Sequence, residues 1–195
     1  KKMLSYKESL KILKETNALL EGHFILSSGL HSKQYVQCAK LLSYPKKAEA
    51  ICSSLCEKIK EEFNKIDIIL SPAIGGIVVG YEVGRQLDIE TIFAERSNKQ
   101  LILRRGFQIL ENSNVLIVED VITTGKSALE CSELIKASKS NLIGYACIID
   151  RSNNKSLIKD KIVSQIKLKI DTYNNKELPN DLKKIQPIKP GSRNL

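Results

Sequence analysis

Four short apolar segments, separated by segments with helical spacing, constrain the fold of this chain more than any other feature. They cover residues 66–70, 90–94, 115–118 and 142–149. Continuous apolar runs of this length are typical of parallel strands that are covered on both faces. The intervening segments 77–87 and 126–137 have the length and apolar spacing of helices. The pattern therefore predicts the α/β class, with an open, mostly parallel sheet and helices on both of its faces.

The remaining segments predict further helices and a protected sheet edge. Ser5 and Glu8 form a capping-box pattern, which predicts a helix over residues 6–20. Pro45 suits the first turn of a helix, and apolar residues at three- and four-residue steps extend that helix to residue 63. Residues 21–44 suggest loop and short strand. Residues 163–170 nearly alternate between apolar residues and lysines, which indicates an edge element, and the proline-containing tail 187–191 is neither helix nor central strand.

Length, apolar content and net charge limit the classes of protein to which this chain can belong. The chain has 195 residues, which predicts a single domain because domains commonly have about 150. No apolar run approaches the ~20 residues of a membrane span, and no apolar core follows the first lysines, so we expect neither a membrane partner nor a signal peptide. The net charge of +9 is compatible with a solvated basic surface, with nucleic acid, with a membrane surface or with small polyanions.

The five cysteines indicate a reducing environment. They form no C-x-x-C pair, and His23 and His31 do not complete a zinc site with them. Most of them have apolar neighbours, which predicts small core residues. We therefore expect a cytoplasmic protein without structural disulfides.

The segment that follows the strand at 115–118 has the strongest functional pattern. An open parallel sheet binds its ligand beyond the carboxyl ends of its strands, and Glu119 and Asp120 stand at such an end. Paired carboxylates suit two neighbouring hydroxyls of a ribose, directly or through a metal. The turn Thr123-Thr124-Gly125-Lys126-Ser127 then opens a helix, whose free N–H groups and positive dipole end suit a phosphate. A Walker A loop is excluded because position 120 is aspartate where that motif requires glycine.

Residues 115–125 resemble the phosphoribosyl pyrophosphate (PRPP) motif of the type I phosphoribosyltransferases, in which four apolar residues precede two acids and a Thr/Gly turn. The resemblance implies the fold of that family and the roles of the motif residues. Glu119 and Asp120 would hold the ribose hydroxyls and act in catalysis. The 5-phosphate would contact the turn, which comprises Val121, Ile122, Thr123, Thr124, Gly125, Lys126 and Ser127.

A second predicted strand end, Ser71-Pro72-Ala73-Ile74-Gly75-Gly76, matches the pyrophosphate loop of the same family. A Gly pair before a helix turns backbone N–H groups towards an anion. The resemblance therefore implies that Ala73, Ile74 and Gly75 bind the pyrophosphate of PRPP. Orotate enzymes of the family often have a lysine at the position of Gly75.

Residues 22–35 resemble the opening of the orotate phosphoribosyltransferases, a branch of this family, and imply the base. In that branch the segment covers the orotate ring, which implies that Ser28, Gly29 and Tyr35 contact orotate together with Thr123. The usual lysine before Ser-Gly is Ser27 here, and Lys33 is a candidate to replace its charge.

Arg151 follows the last predicted parallel strand. An arginine there suits the carboxylate of orotate, and the alternative is a surface arginine paired with Asp150. Residues 187–193 also resemble the terminus of a compact bacterial form of these enzymes.

Residues 94–107 predict a charged hairpin with its turn at Ser97-Asn98. A solvated hairpin is the simpler interpretation. The resemblance implies instead a loop that closes over pyrophosphate and reaches the neighbouring site of a homodimer. Arg96 and Lys99 would bind the pyrophosphate of PRPP, with Lys99 catalytic, whereas Leu101 stands where a histidine of the family is expected.

The resemblance implies a pentosyltransferase that makes orotidine 5-phosphate and pyrophosphate from orotate and PRPP. It also implies Mg²⁺ as cofactor, carried mainly by PRPP rather than by protein side chains. The single domain would divide into a hood that covers orotate (1–44), a core with the PRPP motif (45–160) and a C-terminal edge element with a tail (161–195). Two alternatives are a purine or uracil phosphoribosyltransferase and a regulator of nucleic acid on the same fold. The second needs a DNA-binding module for which 195 residues leave little room, so we expect no nucleic-acid partner.

Overall fold

The structure is a computed structural model that describes residues 3–26, 28–153 and 155–190. The helices are α1 (Tyr6–Glu15), α2 (Cys38–Leu42), α3 (Pro45–Glu62), α4 (Gly75–Leu87), α5 (Lys126–Ala137) and α6 (Asn180–Lys183), with a 3-10 turn at Asn175–Glu177. The strands are β1 (Leu19–Ile25), β2 (His31–Val36), β3 (Ile68–Pro72), β4 (Glu90–Ser97), β5 (Gln100–Leu103), β6 (Asn114–Ile122), β7 (Asn141–Asp150), β8 (Ile162–Lys167) and β9 (Thr172–Tyr173).

A six-stranded sheet in the order β5-β4-β3-β6-β7-β8 forms the centre of the fold. All of its pairings are parallel except the hairpin of β4 and β5. Every predicted strand of the parallel sheet is present, and β8 is the expected edge strand. The α/β class with an open, mostly parallel sheet is therefore confirmed.

The continuous apolar runs exist because both faces of the central strands are buried. Leu116 belongs to the apolar cluster beneath α3 and α4, whereas the next residue, Ile117, belongs to the cluster beneath α5. Ile69 and Leu70 of β3 are divided in the same way. Successive strand residues point to opposite faces, so a strand with helices above and below it needs apolar residues at every position.

A smaller antiparallel sheet, β1-β2-β9, forms the hood near the carboxyl ends of the large sheet. The sequence placed the hood in residues 1–44, yet β9 comes from the C-terminal part of the chain. The tail also adds to it, because Ile188 forms a bridge with Phe24. Conversely, Leu13 of α1 and Leu41 of α2 are fully buried in the main core. The tail is neither helix nor central strand as far as residue 190, as predicted.

The helix predicted over residues 6–20 is shorter in the structure. It ends at Glu15, where the Thr16 hydroxyl donates to the carbonyl of Ile12 and Asn17 adopts a positive φ of 55°. Leu19 and Leu20 continue the apolar pattern but belong to β1, where Leu19 pairs with Val36. Pairing with a distant strand outweighed the local helical spacing there.

Two further sequence expectations were wrong in detail. Ser97 pairs with Gln100, so the hairpin turns at Asn98-Lys99, whose φ angles of 47° and 68° suit a two-residue turn of type I′. The acids Glu119 and Asp120 lie within β6 rather than after it. Apolar patterning ended the strand too early because it cannot recognise a polar strand end.

All five cysteines are buried, which confirms the prediction of small core residues, and none of them forms a disulfide. Within the described ranges, no helix has the length and apolar character needed to span a membrane.

Close packing of α4 on β3 predicts that Gly80→Ala destabilises the fold. A Cβ at Gly80 would lie 2.1 Å from the Ser71 hydroxyl oxygen and 3.0 Å from the Ser71 Cβ. We expect a loss of about 1–3 kcal/mol in the free energy of unfolding, measured by urea titration. The double variant Ser71→Gly/Gly80→Ala removes both contacts and should recover most of that loss. A Gly80→Ala protein as stable as the wild type would contradict the packing described.

Candidate active site

A cavity of about 520 Å³ lies at the carboxyl ends of β6 and β7, beneath the loop that joins β1 to β2. Its walls come from three parts of the chain that the sequence singled out separately. They are Leu26, Ser28 and Tyr35 from the hood, Glu119, Val121 and Thr123 to Ser127 from the end of β6 and its turn, and Arg151 after β7. The structure thus brings together most of the predicted ribose, phosphate and base contacts.

The two acids of β6 occupy different positions. Glu119 lines the cavity, whereas the Asp120 carboxylate faces the N-terminus of α4 and accepts a hydrogen bond from its neighbour, the Val121 N–H, at 2.8 Å. A Cβ at Gly75 would lie 2.9 Å from both oxygens of Asp120. A lysine at position 75, as in many orotate enzymes, therefore has no room unless Asp120 moves.

Burial disfavours the ionised form of both acids and so raises the pKa of each. Burial, together with the charge of Asp120, raises the pKa of Glu119 to about 8. Burial also raises the pKa of Asp120, and the hydrogen bond from the Val121 N–H opposes this effect. Carboxyl groups in this state gain from hydroxyl donors or cations that replace lost water. The end of β6 is therefore suited to a polyhydroxyl ligand or a cation.

The turn that follows β6 is suited to an anion. Gly125 has a φ of 79°, which favours glycine, and it caps the N-terminus of α5. The first N–H groups and the positive dipole end of α5 lie beside the exposed hydroxyl side chains of Thr123 and Thr124. A phosphate at this position would receive hydrogen bonds from backbone and side chains together.

A distant segment, residues 156–158, supports this turn. The Leu157 N–H donates to the Thr124 carbonyl at 2.9 Å, and a Cβ at Gly125 would lie 2.7 Å from the side chain of Ile158. Sequence reasoning missed this segment, because nothing local connects it with the phosphate turn. It also missed Leu26 as a wall of the cavity, although the hood pattern contained that residue.

Arg151 is a half-buried cation of the cavity. Its Nε is buried and, within the described part of the chain, has no hydrogen-bond partner. Burial lowers the pKa of Arg151, yet a guanidinium stays charged in proteins. Asp150 does not pair with it among the described residues, since that carboxylate accepts from the Ser152 N–H at 2.9 Å. The alternative of an Asp150–Arg151 surface pair is therefore wrong, and Arg151 is available to a carboxylate ligand.

The aromatic wall of the cavity is held from the hood side. The rings of Tyr35 and Phe24 lie 5.8 Å apart, and Phe24 is buried. Gly29 is not part of the cavity wall but shapes the loop, with a φ of 82° and an N–H that donates to the Leu26 carbonyl. Ser27 lies outside the described residues.

Lys33 does not replace the lysine that the family has at position 27. It forms an ion pair with Asp181 at 2.5 Å and lines a separate cavity of about 390 Å³ between the hood and the C-terminal segment. Its charge therefore serves the packing of the C-terminal segment rather than the candidate site.

Several other predicted site residues lie outside the cavity wall. Ile122 is fully buried in the core, and its carbonyl accepts a hydrogen bond from the Arg151 N–H, so it is not accessible to a ligand in this arrangement. Gly75 begins α4 beside Asp120, and Ile74 is the N-cap that follows Ala73, at the position predicted for the pyrophosphate.

The charged hairpin of β4 and β5 is attached to α5 rather than closed over the cavity. The Arg96 guanidinium pairs with Glu130 at 2.9 Å and donates to the Lys99 carbonyl at 2.7 Å. Arg105 forms a two-pronged pair with Glu95. Lys99 at the tip is exposed, as is Arg104. In this arrangement Arg96 and Lys99 do not line the cavity, so their contact with pyrophosphate stays a prediction.

The sequence matches a known protein family and several of its members over most of its length. Residues 42–180 match the family described as the phosphoribosyl transferase domain. The orotate phosphoribosyltransferase of Caldicellulosiruptor bescii is 46% identical over 94% of this chain and 96% of its own length. The orotate phosphoribosyltransferase of Chlorobaculum parvum is also 46% identical, over 95% of each chain.

Solved structures agree in fold. The orotate phosphoribosyltransferase of Aeropyrum pernix superimposes with a TM-score of 0.71, covering 82% of this chain and 93% of that chain at 22% identity. The adenine phosphoribosyltransferase of Thermoanaerobacter pseudethanolicus reaches 0.60 over 69% of this chain and 88% of that chain at 17% identity. The fold is thus shared by phosphoribosyltransferases that are named for different bases.

The raised pKa of Glu119 predicts how stability depends on pH without ligands. Between its ordinary pKa of 4.5 and the folded value of about 8, the folded protein binds more protons at this group than the unfolded chain. The contribution of Glu119 is therefore fully present at low pH and is lost as pH rises through this window. Glu119→Gln removes the part of the dependence that comes from Glu119, and we expect the variant to gain about 1–3 kcal/mol over the wild type between pH 5 and pH 8.

Urea unfolding of the metal-free protein across this pH range measures the effect. The matched control is Glu133→Gln, which removes an exposed carboxylate of α5 away from the cavity. Parallel pH profiles of Glu119→Gln and the wild type would contradict the burial of this group.

Proposed function

The chain belongs to the phosphoribosyl transferase domain family and, within it, to the orotate phosphoribosyltransferases, and from this membership we propose how its cavity works. The activity is the transfer of the 5-phosphoribosyl group from PRPP to orotate, which gives orotidine 5-phosphate and pyrophosphate in pyrimidine biosynthesis. The observation that carries the proposal is that one cavity is lined by an acid, by the turn at the N-terminus of α5 and by an arginine whose Nε has no hydrogen-bond partner among the described residues.

PRPP is held at three points. The turn from Thr123 to Ser127 and the N-terminus of α5 bind the 5-phosphate. Glu119 and Asp120 accept hydrogen bonds from the ribose hydroxyls, which replace the water that burial removed from these acids. The pyrophosphate lies towards the start of α4, near Ile74 and Gly75.

Orotate lies on the side of the cavity that faces the hood, away from the phosphate turn. The Arg151 guanidinium binds its carboxylate, and Tyr35 contacts the ring. Ser28 and Gly29 belong to the loop that covers the base. Adenine, hypoxanthine and uracil have no carboxylate, so they would leave the buried Nε of Arg151, which has no partner in the described part of the chain, without a hydrogen bond.

The reaction breaks the bond between the anomeric carbon and the pyrophosphate oxygen, and the pyrophosphate leaves with the electron pair. The deprotonated orotate nitrogen forms the new bond from the opposite face, so the configuration inverts. Negative charge grows on the leaving pyrophosphate, and cations that are already in position lower the barrier. Lys99 and Arg96 supply this charge when the hairpin closes over the site, and closure also excludes water.

Mg²⁺ fits this site as a cation carried by the substrate. Within the described residues no cluster of three or more potential ligands is present. Mg²⁺ keeps several waters and is usually bound by substrate phosphates with one or two carboxylates, of which Glu119 in the cavity wall would supply one. When bound, it neutralises charge on the pyrophosphate.

A cytoplasmic location is also part of the proposal. Five buried thiols without disulfides suit a reducing compartment.

The direct test is the consumption of orotate, followed by ultraviolet absorbance, with PRPP and Mg²⁺ present or omitted singly. We expect turnover only with both, and no comparable turnover with adenine, hypoxanthine or uracil in place of orotate. Preference for another base would move the chain to a different branch of the family. DNA binding with steep salt dependence and without release of pyrophosphate would favour the regulator alternative.

Arg151→Ala should raise the KM for orotate by about 10²-fold while the KM for PRPP changes little, because the lost contact is a charge-assisted hydrogen bond to one substrate. The matched control is Lys126→Ala, at the phosphate turn, which should raise the KM for PRPP instead. Steady-state kinetics with each substrate varied in turn measures both. Equal effects of Arg151→Ala on the two KM values would show that this residue does not bind the orotate carboxylate.

The active form is a homodimer in which the hairpin 94–107 reaches the partner's cavity. Support comes from the outer face of α4, where Val78 and Tyr81 are 49% and 65% exposed and lie three residues apart. Large apolar side chains in such positions suit burial against a second copy. Lys99 at the hairpin tip is exposed and does not line the cavity of its own chain, which is consistent with a role in the partner's site.

Mixing two inactive variants tests the shared site. Lys99→Ala lacks the hairpin cation, and Asp120→Asn lacks the ribose contact, so a hybrid dimer has one site with both residues intact. We expect mixtures that are unfolded and refolded together to recover about a quarter of wild-type activity, since half of the dimers are hybrids with one complete site. Light scattering gives the oligomeric state, with Tyr81→Lys expected to weaken the dimer and the exposed Tyr6→Lys as control. No recovery on mixing would place Lys99 in the site of its own chain.

A further inference from the structure

The two histidines of the chain form a buried pair that joins the hood to the C-terminal segment. Nε2 of His23 lies 2.6 Å from Nδ1 of His31, and Nδ1 of His23 lies 2.8 Å from the Ile185 carbonyl oxygen. Both side chains are buried, at 3% and 7% exposure. The predicted functions of the motifs did not use either residue.

The Ile185 carbonyl determines which ring nitrogens of this pair carry protons. A carbonyl only accepts, so His23 must carry its proton on Nδ1, which leaves Nε2 of a neutral ring as an acceptor. His31 must then carry a proton on Nδ1 and donate it to His23. The two rings therefore form one directed chain of hydrogen bonds, from His31 through His23 to Ile185.

This chain of hydrogen bonds attaches a strap, residues 185–190, to the free edge of β1. Two backbone bonds complete the attachment: the Ile188 N–H donates to the His23 carbonyl, and the Ile25 N–H donates to the Ile188 carbonyl, both at 2.8 Å. His31 begins β2 opposite Ile25. The pair thus fixes the point at which the loop 26–30 leaves β1 and returns to β2.

That loop is the part of the hood over the base side of the cavity. Leu26 and Ser28 line the cavity, and the loop closes on itself through the Leu26 N–H, which donates to the Leu30 carbonyl at 2.8 Å. The phosphate turn and the acids of β6 lie on the other sheet and share no hydrogen bond with the pair among the described residues. Displacement of the strap would therefore change the contacts with the base more than the contacts with the sugar.

We propose that His23 and His31 are positioning residues for the base: they fix the C-terminal strap to β1 and so hold the loop residues Leu26 and Ser28 over orotate. The inference rests on the proposed placement of orotate beneath that loop. It assigns a function to the C-terminal strap, whose role is to support the hood.

Because the chain has only two histidines, the imidazole ¹⁵N spectrum of the wild-type protein reads this pair alone. We expect both rings in the Nδ1–H tautomer at neutral pH. A ring with its proton on Nε2 alone would overturn the directed chain of hydrogen bonds and the proposal with it.

Kinetics tests the positioning role. His31→Leu removes the donor, and we expect the KM for orotate to rise about tenfold while kcat and the KM for PRPP stay within about twofold. His31→Asn keeps an N–H near the position of Nδ1 and should restore most of the orotate affinity. Equal loss in all three parameters, or no change in the KM for orotate, would show a merely structural role and overturn the proposal.

A second pair of variants avoids the buried core in case His31→Leu does not fold. Ile188→Pro removes the N–H that the strap donates to His23, whereas Ile188→Ala keeps it and trims a side chain that is 60% exposed. We expect a raised KM for orotate in the proline variant only. Wild-type turnover of orotate together with an unchanged KM in Ile188→Pro would overturn this inference alone, whereas a wild type that consumes no orotate would overturn the proposed function.

Discussion

The burial of β6 on both faces is the constraint on which the rest of the structure depends. Val115 to Val118 are fully buried between α3 and α4 on one side and α5 on the other. This apolar burial fixes the direction and depth of the strand, so the next residues, Glu119 and Asp120, must emerge where water is scarce. The same force that stabilises the sheet therefore raises the pKa of both acids and prepares them for donors that a sugar supplies.

The cavity is assembled from parts that come from far apart in the chain. The phosphate turn follows β6, but the segment 156–158 supports it. The base loop follows β1, but the strap at the C-terminus holds its edge. The phosphate turn and the loop after β1 are each a short continuous segment, but the position of each depends on a segment that is distant in the chain. Such a design lets the strands supply rigid attachment points and leaves specificity to loops.

We propose that specificity for the base resides in a few residues, because the fold does not distinguish the bases. Structures of orotate and adenine enzymes share the architecture of this chain at low identity. In the proposed mechanism the bases are separated by chemistry, through the half-buried guanidinium of Arg151, the aromatic ring of Tyr35 and the loop that covers the cavity. The pairing of Arg96 with Glu130 attaches the charged hairpin to α5, so the proposed closure would exchange this ion pair for contacts with pyrophosphate.

The sequence by itself determined the parallel sheet, the helices α3 and α5 and the PRPP motif, because each depends on local periodicity or on residues adjacent in the chain. It also identified Arg151 from its place after a strand. It could not determine that α1 ends at Glu15, that Lys33 pairs with Asp181, or that β9 and the strap complete the hood. Nor could it reveal the hydrogen bonds from His31 through His23 to Ile185. Those features join residues that are distant along the chain, and only the folded packing decides which distant groups satisfy one another's hydrogen bonds and charges.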